Sequence, residues 1–159
     1  EDGGTLPYPK SRRQGIERLS RKETEKLNRW VKGEEALFFF RHEDTVRALP
    51  AALAEDLSYL QSFCYLRSAG VSLGKPSIKE LIPGHDLALS TLISGQLPAI
   101  ELSREEAIEY LRKEDIRAAQ AERCWSLVRY QGQNLGWVKV LPNRVNNYYP
   151  KEWRIRKES

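Results

Sequence analysis

Two short alternating runs around a polar turn, Cys124–Tyr130 and Leu135–Leu141, constrain this chain more than any other feature. Strand residues point to opposite faces with a period of two. The first run therefore puts Trp125, Leu127 and Arg129 on one face and Cys124, Ser126, Val128 and Tyr130 on the other. The second puts Leu135, Trp137, Lys139 and Leu141 on one face and Gly136, Val138 and Val140 on the other. Separated only by Gln131-Gly132-Gln133-Asn134, the runs predict a β-hairpin. Trp125 and Trp137 are expected in the core, and Gly136 is expected to permit close backbone packing beside Trp137.

A tail dense in amide, aromatic and cationic side chains follows the hairpin. Between Lys139 and Lys157 the only acid is Glu152. Unpaired RNA bases stack on planar rings while phosphates pair with Lys and Arg, so this mixture suits a surface that reads RNA. The candidate contacts are Lys139, Arg144, Lys151 and Arg154, with Asn146, Asn147 and Tyr148 among them; the two asparagines also suit a turn. Within Tyr148-Tyr149-Pro150 the expectation is that the tail packs against the barrel and leaves one ring exposed. Net charge is +4 and the pI about 9.1, a modest excess whose distribution matters more than its size. A second cationic cluster runs from Lys10 to Lys32 and includes Arg12 and Arg13, in an arm that could fold onto RNA.

Residues 1–15 carry two prolines and no periodicity, and read as a linker or extended arm. Ser20 with Glu23 forms a capping box, and Leu27, Trp30 and Val31 make an apolar stripe, predicting a helix over 21–32 that ends at Gly33. Residues 36–41 and 45–49 predict two paired strands, and 51–60 a helix with Leu53, Leu57 and Leu60 inward. A strand over 63–68 is expected next, then sheet or a glycine-bounded edge over 70–74, and a short strand or turn over 77–81. Pro83-Gly84-His85-Asp86 is expected to open an apolar helix through Leu87, Leu89, Leu92 and Ile93, with His85 capping or positioning. A short strand over 99–102 precedes a second capping box, Ser103 with Glu106, whose helix presents Ala107, Ile108 and Leu111. Residues 114–120 are mixed, with room for a short strand. The sum is α+β: a small mixed domain followed by a small open β-barrel at the C-terminus.

Nothing in this composition builds a catalytic centre. No glycine-rich phosphate loop or nucleophile elbow is present, and two histidines with two scattered cysteines do not make a metal site. Glu105 and Glu106 lie in a helix first turn, where they complement its dipole. Cys64 and Cys124 are expected as buried free thiols, which fits a cytoplasmic protein. No apolar run approaches a membrane span. The chain contains no methionine, which predicts a piece of a longer protein.

The segments Pro83-Gly84-His85-Asp86-Leu87-Ala88-Leu89, Glu109-Tyr110-Leu111, Leu135-Gly136-Trp137-Val138-Lys139 and Val145-Asn146-Asn147-Tyr148-Tyr149-Pro150-Lys151-Glu152-Trp153-Arg154 together carry a resemblance. The chain resembles the C-terminal part of bacterial RsmF/YebU-type rRNA cytosine-C5 methyltransferases, of the Nol/Nop/Sun class. The resemblance covers most of residues 63–156, and the last block is its most specific part. Asn146 stands where the family often has Lys, and Trp153 where Leu is usual. The resemblance implies a PUA-like RNA-binding domain over 97–159 behind a connecting α+β domain over 16–96. It also implies an upstream domain holding S-adenosylmethionine and the catalytic cysteines, with no cofactor in this part. Neither Cys64 nor Cys124 has the Pro-Cys or Thr-Cys setting of such a nucleophile. The implied role is non-catalytic: a monomeric module that positions small-subunit rRNA for methylation, with the methyltransferase domain as its partner in cis. The competing reading is a module docking onto that domain or onto a ribosomal protein, marked by a large apolar patch and salt-insensitive binding.

Overall fold

The computed structural model describes residues 16–63, 69–117 and 122–156. Arg12 and Arg13, Cys64 and nearly all of the strand expected over 63–68 lie outside these ranges; Phe63 itself ends a helix.

Five antiparallel strands form the first sheet in simple chain order: β1 (Glu17–Arg18), β2 (Leu37–His42), β3 (Thr45–Pro50), β4 (Val71–Pro76) and β5 (Leu81–Pro83). The β2–β3 hairpin turns at Glu43-Asp44, with Glu43 in the left-handed region at φ 56°. Helix α1 (Arg21–Leu27) starts on the expected capping box: the Ser20 hydroxyl accepts from the Glu23 amide, and the Glu23 carboxylate accepts from the Ser20 amide at 2.9 Å. It stops five residues short of Lys32 because the backbone beyond it is engaged elsewhere. Val31 bridges Ile93, the Lys32 amide donates to Leu92 O at 2.9 Å, and the Ser94 amide donates to Trp30 O at 3.0 Å. The same ladder keeps Leu92 and Ile93 out of helix α3 (His85–Leu89), which ends where Ser90 turns extended. Helix α2 (Ala54–Phe63) buries Leu57, while Leu53, expected inward, sits in the preceding 3-10 turn and is exposed.

The second sheet runs β6 (Ala99–Glu101), β7 (Trp125–Tyr130), β8 (Gln133–Val140) and β9 (Val145–Asn147). β6 is parallel to β7, and α4 (Arg104–Leu111) lies on the crossover between them. Ser103 and Glu106 close the second capping box. The β7–β8 turn is tighter than expected: Tyr130 pairs with Gln133, leaving Gln131 and Gly132, at φ 49° and 74°, as a two-residue type I′ connection. A register shift then sets Val128 opposite Gly136 but Arg129 opposite Asn134, leaving Leu135 unpaired. That bulge turns Leu135 to the side of Val138 and Val140, away from Trp137. The sheet does not close into a barrel.

Among the described residues, three apolar clusters hold these layers. The largest joins both sheets: Leu27, Trp30, Phe39 and Leu73 pack with Trp125, Leu127 and Trp137. Trp137 is 1% exposed; a side chain of this size buries about 200 Å², contributing at most about 5 kcal/mol. A second cluster, including Tyr110, Val128, Val138 and Val140, fills the space between β7–β8 and α4. Phe40, Leu49 and Leu57 form the third, beneath α2. Cys124 is a free, half-buried thiol rather than a fully buried one.

Candidate nucleic-acid interface

The second sheet sorts the sequence-predicted contacts onto two faces. β9, whose two asparagines were expected as RNA contacts or as a turn, pairs Val138 with Asn147, Lys139 with Asn146 and Val140 with Val145. Alternation then sends Asn147 to the α4 side with Val138, and Lys139 and Asn146 to the other. Trp125 pairs with Lys139 and shares that second face.

On the Trp125 face, Lys139 ion-pairs with Glu80 from the loop before β5, and its ammonium lies 5.1 Å from the Trp125 ring centroid. Tyr148 stacks edgewise on Trp125, centroids 4.4 Å apart, and remains 38% exposed. Asn146 is half-buried here, and Arg144 is exposed in the β8–β9 turn, where its carbonyl accepts from the Leu141 amide. The charge of Lys139 is thus already neutralised in the protein.

On the α4 face the groups are structural at their base and cationic at their rim. Tyr110 is fully buried and donates to Trp137 O at 3.0 Å. Burial, helped by the nearby Tyr149, pushes its phenol far above the usual value. Asn147 donates to Tyr110 O at 2.9 Å and Glu114 O at 3.1 Å, and accepts from the Tyr149 amide at 2.9 Å, so its amide is engaged within the protein. His85 does not cap α3. Its ring meets Tyr149 and Trp153 edge-on at 5.4 and 5.1 Å, and its buried Nδ1 has no hydrogen-bond partner. Desolvation lowers its pKa, opposed by the charge of Asp86. α3 itself is held to β8 by Asn134 donating to Ala88 O and the Trp137 indole donating to Gly84 O, both at 2.9 Å.

Four residues described on this face are absent from the sequence-predicted contacts: Lys113, Arg112, Trp153 and Arg156. Lys113, in the left-handed region at φ 61°, donates to Asn147 O at 2.9 Å and Tyr149 O at 2.7 Å, tying the end of α4 to the tail. Burial lowers its pKa first of all, with Lys151 adding to the effect and Glu152 opposing it. Arg112 closes α4 and lines a shallow hollow with Glu114, Arg154, Ile155 and Arg156. A cation beside a helix C-terminus was the available signal, but the partners lie more than 30 residues away.

The tail is fixed rather than loose: the Ile155 amide donates to Leu111 O at 2.9 Å, and Lys151–Trp153 form a 3-10 turn. Lys151, Arg154 and Arg156 are exposed and, among the described residues, make no ion pair. Trp153 is 57% exposed although its edge packs on His85. This side therefore presents three unpaired cations beside an exposed indole. Among the described residues no cluster of metal-ligating side chains occurs, and no helix is long and apolar enough to cross a membrane.

Residues 97–155 match the family model described as the methyltransferase RsmF PUA domain. Two relatives named ribosomal RNA small subunit methyltransferase F are similar to this chain. The one from Shewanella loihica is 33% identical over 85 residues, covering 52% of this chain and 17% of the relative. The one from Salmonella arizonae is 31% identical over 120 residues, covering 75% of this chain and 24% of the relative. The chain thus spans about a quarter or less of these relatives. The resemblance read from the Leu135–Lys139 and Val145–Arg154 segments holds, and the α+β fold ends in a PUA domain whose sheet stays open.

Proposed function

We propose that this chain, whose residues 97–155 are an RsmF-type PUA domain, is the RNA-binding and substrate-positioning part of an rRNA (cytosine-C5) methyltransferase. Its target is small-subunit rRNA. The methyl group comes from S-adenosylmethionine held by an upstream catalytic domain in cis, and the present part contributes no catalytic group. It works in the cytoplasm as a single copy, with residues 16–96 as a connecting domain.

One observation carries the reading: a domain of this family displays Lys151, Arg154 and Arg156, all without ion pairs among the described residues, next to the exposed Trp153. Phosphate contacts from the cations set register on the RNA, and the indole offers a stacking surface. Arg144, Asn146 and Tyr148 extend the surface from the other face, while Lys139 joins only by exchanging Glu80 for a phosphate. Asn147 serves by holding the tail in place. Arg12 and Arg13 add cations from the arm.

The test is binding to labelled small-subunit rRNA hairpins by wild-type protein and by the Lys151→Glu/Arg154→Glu/Arg156→Glu variant. Engagement of about three phosphates in the single-stranded loop of the hairpin gives a salt slope near 2, so affinity falls about 20-fold between 50 and 200 mM salt. The variant is expected to lose most of that salt dependence. Equal affinity for wild type and variant would reject the assigned surface.

A further inference from the structure

A cavity of about 510 Å³ opens between α1, β2–β3 and the β4–β5 loop, entirely outside the PUA domain. Four cations stand around it: Lys26, Arg29, Arg41 and Lys79. Its two acids are already engaged. Glu23 pairs with Arg41 at 2.8 Å and accepts from Ser20, and Glu80 pairs with Lys139. Lys26, Arg29 and Lys79 have no ion pair among the described residues and are exposed. The floor is apolar, formed by Leu19, Leu27, Trp30, Val46 and Leu81, and Ile78 stands fully exposed at the rim. Arg41 Nε is buried with no partner.

We infer that this cavity is a second RNA site, a groove that takes a single-stranded stretch of the RNA held by the PUA domain. The inference rests on the proposed RNA-binding function and extends it to the connecting domain. Charge complementarity selects the occupant. Converging cations repel one another and favour a polyanion, and the lining carboxylates are neutralised within the protein. A volume between about 300 and 1,000 Å³ with an apolar floor admits planar rings. Backbone phosphates then meet Lys26, Arg29 and Lys79 while a base lies over the apolar floor. Glu80 links the two sites physically, since it lines the groove and holds Lys139 of the PUA domain.

The experiment titrates the full chain with oligocytidylate hexamer, following backbone amide resonances, with hexaglutamate peptide and a blunt rRNA hairpin as separate arms. The expected result is that the hexamer shifts the amides of residues 26–30 and 77–81. Lys26→Glu/Arg29→Glu/Lys79→Glu should weaken hexamer binding about tenfold while leaving hairpin binding intact. Lys79→Ala, on the exposed loop, serves as a second variant that leaves the core untouched and should weaken the hexamer alone by a smaller factor. Unchanged hexamer affinity in both variants, with hairpin binding retained in wild type, would overturn the groove and leave the PUA function standing. Tighter binding of hexaglutamate than of the hexamer would overturn it in favour of an acidic protein partner. Failure of wild type to bind either RNA at low salt would remove the underlying function itself.

Discussion

Replacing Gly136 by alanine probes the joint where the tail, α3, α4 and the hairpin meet. A Cβ at this position falls 2.3 Å from the Tyr110 hydroxyl and 3.2 Å from His85 Nδ1. Real carbon atoms do not approach an oxygen that closely, so the phenol must move, and Tyr110 is fully buried with its hydroxyl bonded to Trp137 O. Overpacking of a tight core costs about 1–3 kcal/mol, and a buried hydroxyl pulled from its acceptor adds about 1 kcal/mol. The position also sits at φ 156°, where a side chain strains the backbone by about 1–3 kcal/mol, so Gly136→Ala should destabilise by at least about 3 kcal/mol. Tyr110→Phe alone should cost about 1 kcal/mol, because Trp137 O also accepts from the Tyr148 amide. In the double variant the atom at 2.3 Å is gone and the next contacts lie at 3.2 and 3.3 Å, on an imidazole edge that can shift slightly. The double variant should then be more stable than the sum of the singles by about 1–2 kcal/mol. Urea denaturation of all four proteins measures this coupling, provided the m-values agree. Strict additivity, or a Gly136→Ala variant as stable as wild type, would refute the packing argument.

Asn147→Ala removes three hydrogen bonds that join β9, α4 and the tail. It should destabilise by about 2–3 kcal/mol in the same assay, whereas a residue acting only as an RNA contact would leave the urea midpoint unchanged. His85 has a folded pKa depressed below its ordinary value, so the unfolded chain binds the extra proton more readily. Its stabilising contribution is complete above about pH 6.5 and is lost as pH falls through the folded value. His85→Phe, which keeps an aromatic ring against Tyr149 and Trp153, should flatten the stability profile below about pH 6.5; an unchanged acid slope in melting experiments would assign that slope to other groups.

Features set by near neighbours in the chain were legible in the sequence. Both capping boxes depend on residues three apart, and both form. The hairpin showed in its alternation, and Trp125 and Trp137 lie in the core as their positions required. Gly136 was recognisable as a close-packing site, although the atoms it admits, from Tyr110 and His85, were not. What failed was non-local. α1 ends early because residues 30–32 pair with 92–94, a match that no local pattern announces. β9 is three half-buried residues, Val145-Asn146-Asn147, too short and too polar to show alternation. Missing it concealed the division of the tail: Lys139 and Asn146 share one face, and Asn147 turns inward on the other. A list of cations and amides from sequence cannot say which ones the protein already neutralises. Lys139 is paired with Glu80, whereas Lys151, Arg154 and Arg156 make no pair among the described residues. Helix α4 ends without glycine, so Lys113, which takes the left-handed position and binds two tail carbonyls, left no readable mark.

The most direct test of the account is the affinity of this chain for small-subunit rRNA hairpins at 50 and 200 mM salt, with and without charge reversal at Lys151, Arg154 and Arg156. Wild type should lose about 20-fold in affinity across that range, and the variant should give a nearly flat, weak response. Binding that ignores both salt and the reversed charges would contradict the account, and would mark the tail surface as a place where another protein docks.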